Sequence, residues 1–402
     1  MKRLHSAWGV CLGCTLMLLV CGGLCVNAFS VAQPYILAQN GFTNTQTSMI
    51  TTVRAVAYLG CMALTPWFYR VFGHRLGTAL ACGFGAIGFV LFAAARSLGV
   101  YYLGGVFAGL AYGFGSMIPA SILIVRWFHE KHALALGLCA AGTGLATVVF
   151  SPIMTALIEH ISLAACFLFL AGVSMLAAAA VFWLVRENPS SCGKTPYGVK
   201  RGETAPPVHA SLGIQPSRHR WIALFLSMCF LGAIASPGCT HMMILFTTAG
   251  FRTEDAALSV SLFGLALMLG KCTFGAVCDR LGAQRANIIF SVVLFSGLAM
   301  CATSDLRLRA LMFVGSVLYG AGAPMSTVGI SIWSEAFSSP ERYSRVVWLF
   351  QTGYGAGALV FSVFPGLVAD LCGSYAPAYA IFLALGVFSI SVVQSTYRLK
   401  VR

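Results

Sequence analysis

The stretch GKCTFGAVCDRLGAQR, Gly270 to Arg285, sets Lys271 ahead of an Asp279-Arg280 pair in a run that is otherwise small and apolar. Upstream of the acid, Ala256 to Cys278 is long and apolar enough to cross a hydrocarbon core, which takes about 20 residues. The lysine therefore stands inside a membrane span, and the Asp-Arg pair closes the span's end. The spacing Gly275-x-x-x-Asp279-Arg280-x-Gly282, with Arg285 following, has a physical sense. A small residue lets helices approach, an acid can accept from backbone or basic groups, and arginines hold a loop at the membrane surface.

Outward from this stretch, the chain of 402 residues is 58 % hydrophobic and only 9 % charged, against roughly 25 % charged residues in a soluble domain. It reads as an integral, multi-pass membrane protein. Six apolar segments precede a polar stretch: Trp8 to Tyr35, Gln46 to Tyr69, Thr78 to Ala95, Tyr101 to Val125, Ala133 to Ile158 and Ser162 to Val185. Six follow it: Trp221 to Ala249, Ala256 to Cys278, Ala286 to Thr303, Leu308 to Trp333, Tyr343 to Val368 and Tyr375 to Tyr397. The expected organisation is a first six-helix bundle over 1–186, a linker over 187–219 rich in proline and basic residues, and a second bundle over 220–402. The linker cannot bury much apolar surface and is expected to be flexible, with room for a short surface helix.

Positive charge gives the orientation. With the N-terminus inside, Lys2, Arg3, Arg70, Arg75, Arg126, Lys131, Arg186, Lys194, Lys200, Arg201, Arg218, Arg220, Arg280, Arg285, Arg342, Arg345, Arg398, Lys400 and Arg402 fall on the cytoplasmic side, and Arg96, Arg252, Arg307 and Arg309 outside. The net charge of +14 is a topology signal and calls for no nucleic acid. Both termini are expected in the cytoplasm, with the chain in the plasma (inner) membrane as a monomer. Of fifteen cysteines, most fall in spans and behave as small apolar residues. Cys11 and Cys14 have CxxC spacing, but no second pair stands nearby, so no metal and no cofactor is expected.

After the second segment stands Pro66-x-x-x-Arg70-x-x-Gly73-His74-Arg75, a worn copy of the loop after the eighth. A G-x-x-x-D-R-x-G-R-R loop at these two places is the signature of the major facilitator superfamily, which this chain resembles, well in the second half and poorly in the first, where Arg70 replaces the usual acid. The resemblance implies an all-α fold of twelve transmembrane helices in two pseudo-symmetric six-helix bundles. It also implies that Gly275, Asp279, Arg280 and Gly282 are gate and scaffold elements that do not touch substrate. Arg126-Trp127-Phe128-His129-Glu130-Lys131-His132-Ala133-Leu134-Ala135-Leu136-Gly137 resembles the R-W-F-x-x-R-R-G-L-A-x-G segment of the oxalate/formate antiporter and monocarboxylate transporter families. Lys131-His132 replaces two arginines there and Ala133 a glycine.

Counting about 1.5 Å per residue, Lys271 lies about 22 Å from the outer end of its helix and about 12 Å from Asp279. A lysine that deep costs about 2.5 to 3.5 kcal/mol unless it meets a wet cavity or a counter-charge. Facing a central cavity is one reading, and snorkelling to the cytoplasm is the other. In both related families a cation at this point of the eighth helix is implicated in holding a carboxylate, which the resemblance carries to Lys271. Arg54, about 12 Å deep in the second segment, either offers a planar fork to a carboxylate or bonds backbone carbonyls of a broken first helix near Asn27, Gln33 and Pro34.

The spans hold no acid well inside them. Glu159 and Glu335 stand at helix ends and Glu254 and Asp255 at a helix start. Leu267 stands where the animal monocarboxylate carriers place an aspartate, and Gln351-Thr352-Gly353-Tyr354-Gly355 stands where oxalate carriers have Y-T-A-K-G. Two buried cations call for an anion to balance them, so the expected substrate is a small organic anion other than oxalate. His241 follows Pro237-Gly238 in a seventh helix interrupted as transporter sites are. It either takes a proton near physiological pH or bonds a neighbouring carbonyl. Tyr112 and Tyr354, with Gln351, are the best further polar candidates. Tyr35, Tyr58 and Tyr319 are weaker.

The expected function is secondary active transport of a monocarboxylate by alternating access, as proton symport or anion exchange. No nucleotide loop is present, and no enzymatic chemistry is expected. Alternatives are a multidrug or hydrophobic-compound exporter of the same fold, or a transporter-like sensor.

Overall fold

The computed structural model describes residues 6–42, 44–199 and 216–399. Lys2, Arg3, Lys200, Arg201, Lys400 and Arg402, used above for orientation, and the Pro206-Pro207 part of the linker lie outside the described residues. The described chain is helical because an apolar segment in a bilayer must satisfy every backbone N–H and C=O within itself. In order, the α-helices are α1 (Ser6–Leu18), α2 (Phe29–Asn40), α3 (Asn44–Ala94), α4 (Leu98–Phe114), α5 (Met117–Trp127), α6 (His132–His160), α7 (Leu163–Leu184), α8 (Arg218–Ala235) and α9 (Pro237–Thr240). They continue as α10 (Met242–Thr248), α11 (Thr253–Leu281), α12 (Ala283–Ala302), α13 (Arg309–Gly322), α14 (Val328–Ala336), α15 (Tyr343–Val360), α16 (Phe364–Cys372) and α17 (Ala376–Tyr397).

Among the described residues, eleven helical stretches are long and apolar enough to cross a membrane. One of them, Met49–Ala94, runs for 46 residues and holds two crossings, which brings the number to twelve. The two meet at Gly73, whose φ of 67° and ψ of 170° break the helix in a region that favours glycine. The Glu187 carboxylate accepts from the His74 backbone N–H at 3.0 Å just after the break.

The described residues fall into two compact units, one drawn from Met1–Glu130 and Leu138–Ala205, the other from Lys131–Gly137 and Pro206–Arg402. The short piece Lys131–Gly137 stands in the first six-helix half by sequence, yet it packs within the second unit. Two glycines make this possible. A Cβ on Gly137 would collide with the Lys271 carbonyl oxygen, and one on Gly275 would collide with that of Ala133. Only bare backbone lets the start of α6 lie this close to α11.

In the first unit, α1 and α2 are joined by a π-helical stretch, Leu19–Ala28, so that Ser6–Gln33 forms one span. Such widened turns shift carbonyls out of the regular ladder and are frequent at functional sites. In the second unit the breaks are sharper. Pro237 has no N–H to continue α8, and α9 and α10 follow as short pieces. Two hydroxyls cover carbonyls at this interruption: Tyr319 donates to Ile234 O, and Tyr379 donates to Gly238 O at 2.6 Å. Tyr319, a weak substrate candidate by sequence, is fully buried and committed to this backbone bond.

The front of the expected linker is held in place. Tyr197 N–H donates to Trp127 O at 2.8 Å, His129 N–H donates to Tyr197 O at 2.9 Å, and the Trp8 ring packs edge-on to Phe128 and Tyr197. Trp127 Nε1 donates to Arg186 O at 2.9 Å. The Trp127-Phe128 pair thus anchors the chain leaving α7, where its large apolar rings and one N–H are both used.

Candidate functional site

The first unit builds a cationic and aromatic patch from α3, α4 and the π-helical stretch. Arg54 on α3 donates from Nη1 to Cys25 O at 2.8 Å, and its guanidinium carbon sits 5.4 Å from the centre of the Phe29 ring. The widened helix supplies the carbonyl, and the aromatic face supplies a cation–π contact. Tyr112 on α4 lies within electrostatic reach of Arg54. Its ring stacks on Tyr58 of α3 with centroids 4.5 Å apart. The close approach of α3 and α4 rests on Gly109, where a Cβ would meet Arg54 O and Ala57. Arg54, Tyr58 and Tyr112 are all half-buried. They form one surface carrying a planar cation and phenol groups, a set suited to a carboxylate.

In the second unit, Lys271 is on α11 and 7 % exposed. Its electrostatic neighbours include the thiols of Cys239, in the interrupted seventh span, and Cys272. The ammonium therefore lies within electrostatic reach of the short helix α9, which starts at Pro237. His241, at the junction of α9 and α10, is half-buried, with Nδ1 2.9 Å from Pro237 O and 3.3 Å from Thr240 Oγ1. This is the carbonyl contact that the sequence left as one of two options. Gln351 on α15 is 6 % exposed, and its amide nitrogen is buried with no hydrogen-bond partner among the described residues. Tyr354, one turn on, is half-buried. Its backbone packs so tightly on Gly232 of α8 that a Cβ there would collide with Tyr354 O.

The Gly275 to Gly282 stretch makes a third arrangement, away from Lys271 along α11. Asp279 caps the start of α6: Oδ1 accepts from Ala133 N–H at 3.2 Å and Oδ2 from Leu134 N–H at 2.8 Å. A carboxylate at a helix N-terminus satisfies orphan N–H groups and meets the positive end of the helix dipole. Arg280 is exposed, and Gly282 turns the chain into α12 at a φ of 82°. Arg126, half-buried in the last turn of α5, lies within electrostatic reach of Glu187. His132 was noted in the sequence only as a replacement for arginine, and Glu335 only as a helix-end acid. Here His132 Nε2 is 3.0 Å from Glu335 Oε2, and Nδ1 is 4.0 Å from Asp279 Oδ1. A basic position facing two acids was the available signal, but partners this far apart in the chain leave no local pattern.

The family profile described as Major Facilitator Superfamily matches residues 15–270. Monocarboxylate transporter 12 of Xenopus laevis is 25 % identical over 335 residues, covering 78 % of this chain and 72 % of that one. The probable sulfoacetate transporter SauU of Cupriavidus necator is 20 % identical over 369 residues, covering 86 % and 84 %. Among solved structures, the proton:xylose symporter XylE aligns at a TM-score of 0.74 with 14 % identity, covering 96 % of this chain and 94 % of that one. The transporter FucP in its outward conformation aligns at 0.71 with 13 % identity, covering 96 % and 98 %.

Proposed function

This chain belongs to the major facilitator superfamily, and from that premise we propose that it carries a small organic anion, a monocarboxylate, across the membrane by alternating access, with Lys271 of the second unit and Arg54 of the first each serving as an anion-binding cation. The observation that carries this reading is Lys271 itself, a lysine 7 % exposed deep in a membrane-spanning helix, beside an interrupted helix. An ammonium at that depth is costly unless its charge is used. The Arg54 surface of the first unit supplies a second cation with phenol groups around it. The carboxylates of the spans stand near helix ends, which suits an anionic cargo better than a cationic drug. The names of two relatives, one a monocarboxylate transporter and one a probable sulfoacetate transporter, support small anionic substrates.

In this reading Tyr112 in the first unit, and Tyr354 and Gln351 in the second, are further substrate-binding groups. Gly275, Asp279, Arg280, Gly282 and Arg126 serve the gates, and a proton or a counter-anion moves with the substrate. The chain works as a monomer in the plasma membrane with both termini in the cytoplasm. Uptake of a panel of labelled mono- and dicarboxylates into proteoliposomes, with and without a pH gradient, tests it. Saturable uptake of a monocarboxylate is the expected result. Uptake of cationic or neutral amphiphiles with no anion flux would overturn it.

A further inference from the structure

We propose that His132, set between Glu335 and Asp279, is a proton-binding site, and that its protonation latches the start of α6 to α11 and α14. Three observations meet there. First, each imidazole nitrogen faces a carboxylate, Nε2 to Glu335 at 3.0 Å and Nδ1 to Asp279 at 4.0 Å, with the three side chains only 28 %, 11 % and 14 % exposed. Second, Asp279 also holds the Ala133 and Leu134 backbone N–H groups, so the histidine and the helix cap share one carboxylate. Third, the chain around His132 is bound to the second unit by bare glycine contacts at Gly137 and Gly275, so this short piece moves with the latch or leaves it as a whole.

The chemistry follows from the charges. A neutral imidazole brings no charge to the two acids, whereas the imidazolium pairs with Glu335 at 3.0 Å and places one positive charge between two negative ones, Asp279 being 4.0 Å away. Beyond those acids, Cys278 on α11 lies close to Asp279, and Tyr397 on α17 lies close to Glu335. In ordinary surroundings a thiol titrates at about 8.5 and a phenol at about 10, both above the range tested. Lys131 adjoins His132 in the chain. Histidine is thus the member of the cluster whose charge changes in the physiological range. Arginine at this position, as in the R-R segment that the sequence resembles, would hold the same acids at every pH. Histidine makes the hold conditional: the latch is closed while the imidazole carries its proton and loosens as pH rises through its titration.

This inference rests on the transport reading only for its use, since release of Lys131–Gly137 would be one step of alternating access. Its test needs no substrate. Hydrogen exchange of peptides spanning Lys131–Gly137 is measured on the purified full chain between about pH 5.5 and about pH 8, corrected for the intrinsic pH dependence of exchange. Wild type is expected to lose about tenfold in protection across that range, with its midpoint in the imidazole region. His132→Arg is expected to stay protected throughout, and Glu335→Gln to show a smaller change. His132→Gln is expected to be weakly protected at all pH values. Flat protection in wild type would overturn the proposal, as would a pH response that survives in His132→Arg. Neither result would touch the anion reading, and failure of the anion panel would leave this exchange profile standing.

Discussion

Replacing Tyr379 by phenylalanine removes one oxygen from a fully buried side chain and leaves its ring in place. That oxygen donates to Gly238 O at 2.6 Å, within the interruption that begins at Pro237 and faces Lys271 through Cys239. Without it the carbonyl loses its donor in a site closed to water. A buried polar group left unmade costs about 1 to 3 kcal/mol in soluble proteins. Interhelical hydrogen bonds in membranes average about 0.6 kcal/mol and reach about 1.7. The upper part of the membrane range applies, because Gly238 lies where the helix is interrupted between α9 and α10, and about 1.5 kcal/mol is expected. At about 2.1 cal/mol/K of unfolding entropy per residue, that lowers Tm of a chain of this size by about 2 °C. Tyr319→Phe, which removes the donor to Ile234 O, should cost a similar amount. The double variant should cost more than the sum, since both bonds support one distortion. The assay is thermal unfolding of purified protein in a fixed detergent. Unchanged Tm in both single variants would show that these hydroxyls do not hold the break and would refute the reasoning.

Asp279→Asn keeps the shape of the α6 cap but removes its charge, weakening the bonds to Ala133 and Leu134 N–H. About 1.5–3 kcal/mol of hold on α6 should be lost, read as faster hydrogen exchange at Lys131–Gly137 with substrate affinity changed only through the conformational equilibrium; a purely local loss of affinity would contradict it. His241→Gln should leave the pH response of hydrogen exchange at Lys131–Gly137 intact, because His241 contacts Pro237 O and Thr240 and not the His132 cluster. Abolition of that response in this variant would move the proton site from His132 to His241.

The helical spans and the burial of Lys271 were legible in the sequence because hydropathy and charge are local quantities that one segment displays alone. The π-helical stretch Leu19–Ala28 was not, since its composition is that of any apolar helix and only packing decides where a turn widens. Arg54 shows the consequence: its depth gave a buried cation, but the Cys25 carbonyl it meets depended on that widening. Gly73 was visible as a loop glycine, and it is where two helical crossings meet across a break. The linker composition hid the pairing of Tyr197 with Trp127 and His129, because two short extended pieces carry no periodicity. His132 and Glu335 were each visible as a charged residue near a membrane surface, and their meeting is a property of the fold.

The central claim is that the buried ammonium of Lys271 binds the substrate carboxylate, and it is tested by the affinity of purified, monodisperse Lys271→Gln protein for the best monocarboxylate of the panel, measured against wild type and Lys271→Arg. Loss of a charge-assisted contact of about 1.5 to 3 kcal/mol predicts affinity lower by roughly tenfold or more in the glutamine variant, with arginine retaining part of it. Equal affinity per folded molecule in wild type and Lys271→Gln would contradict the account.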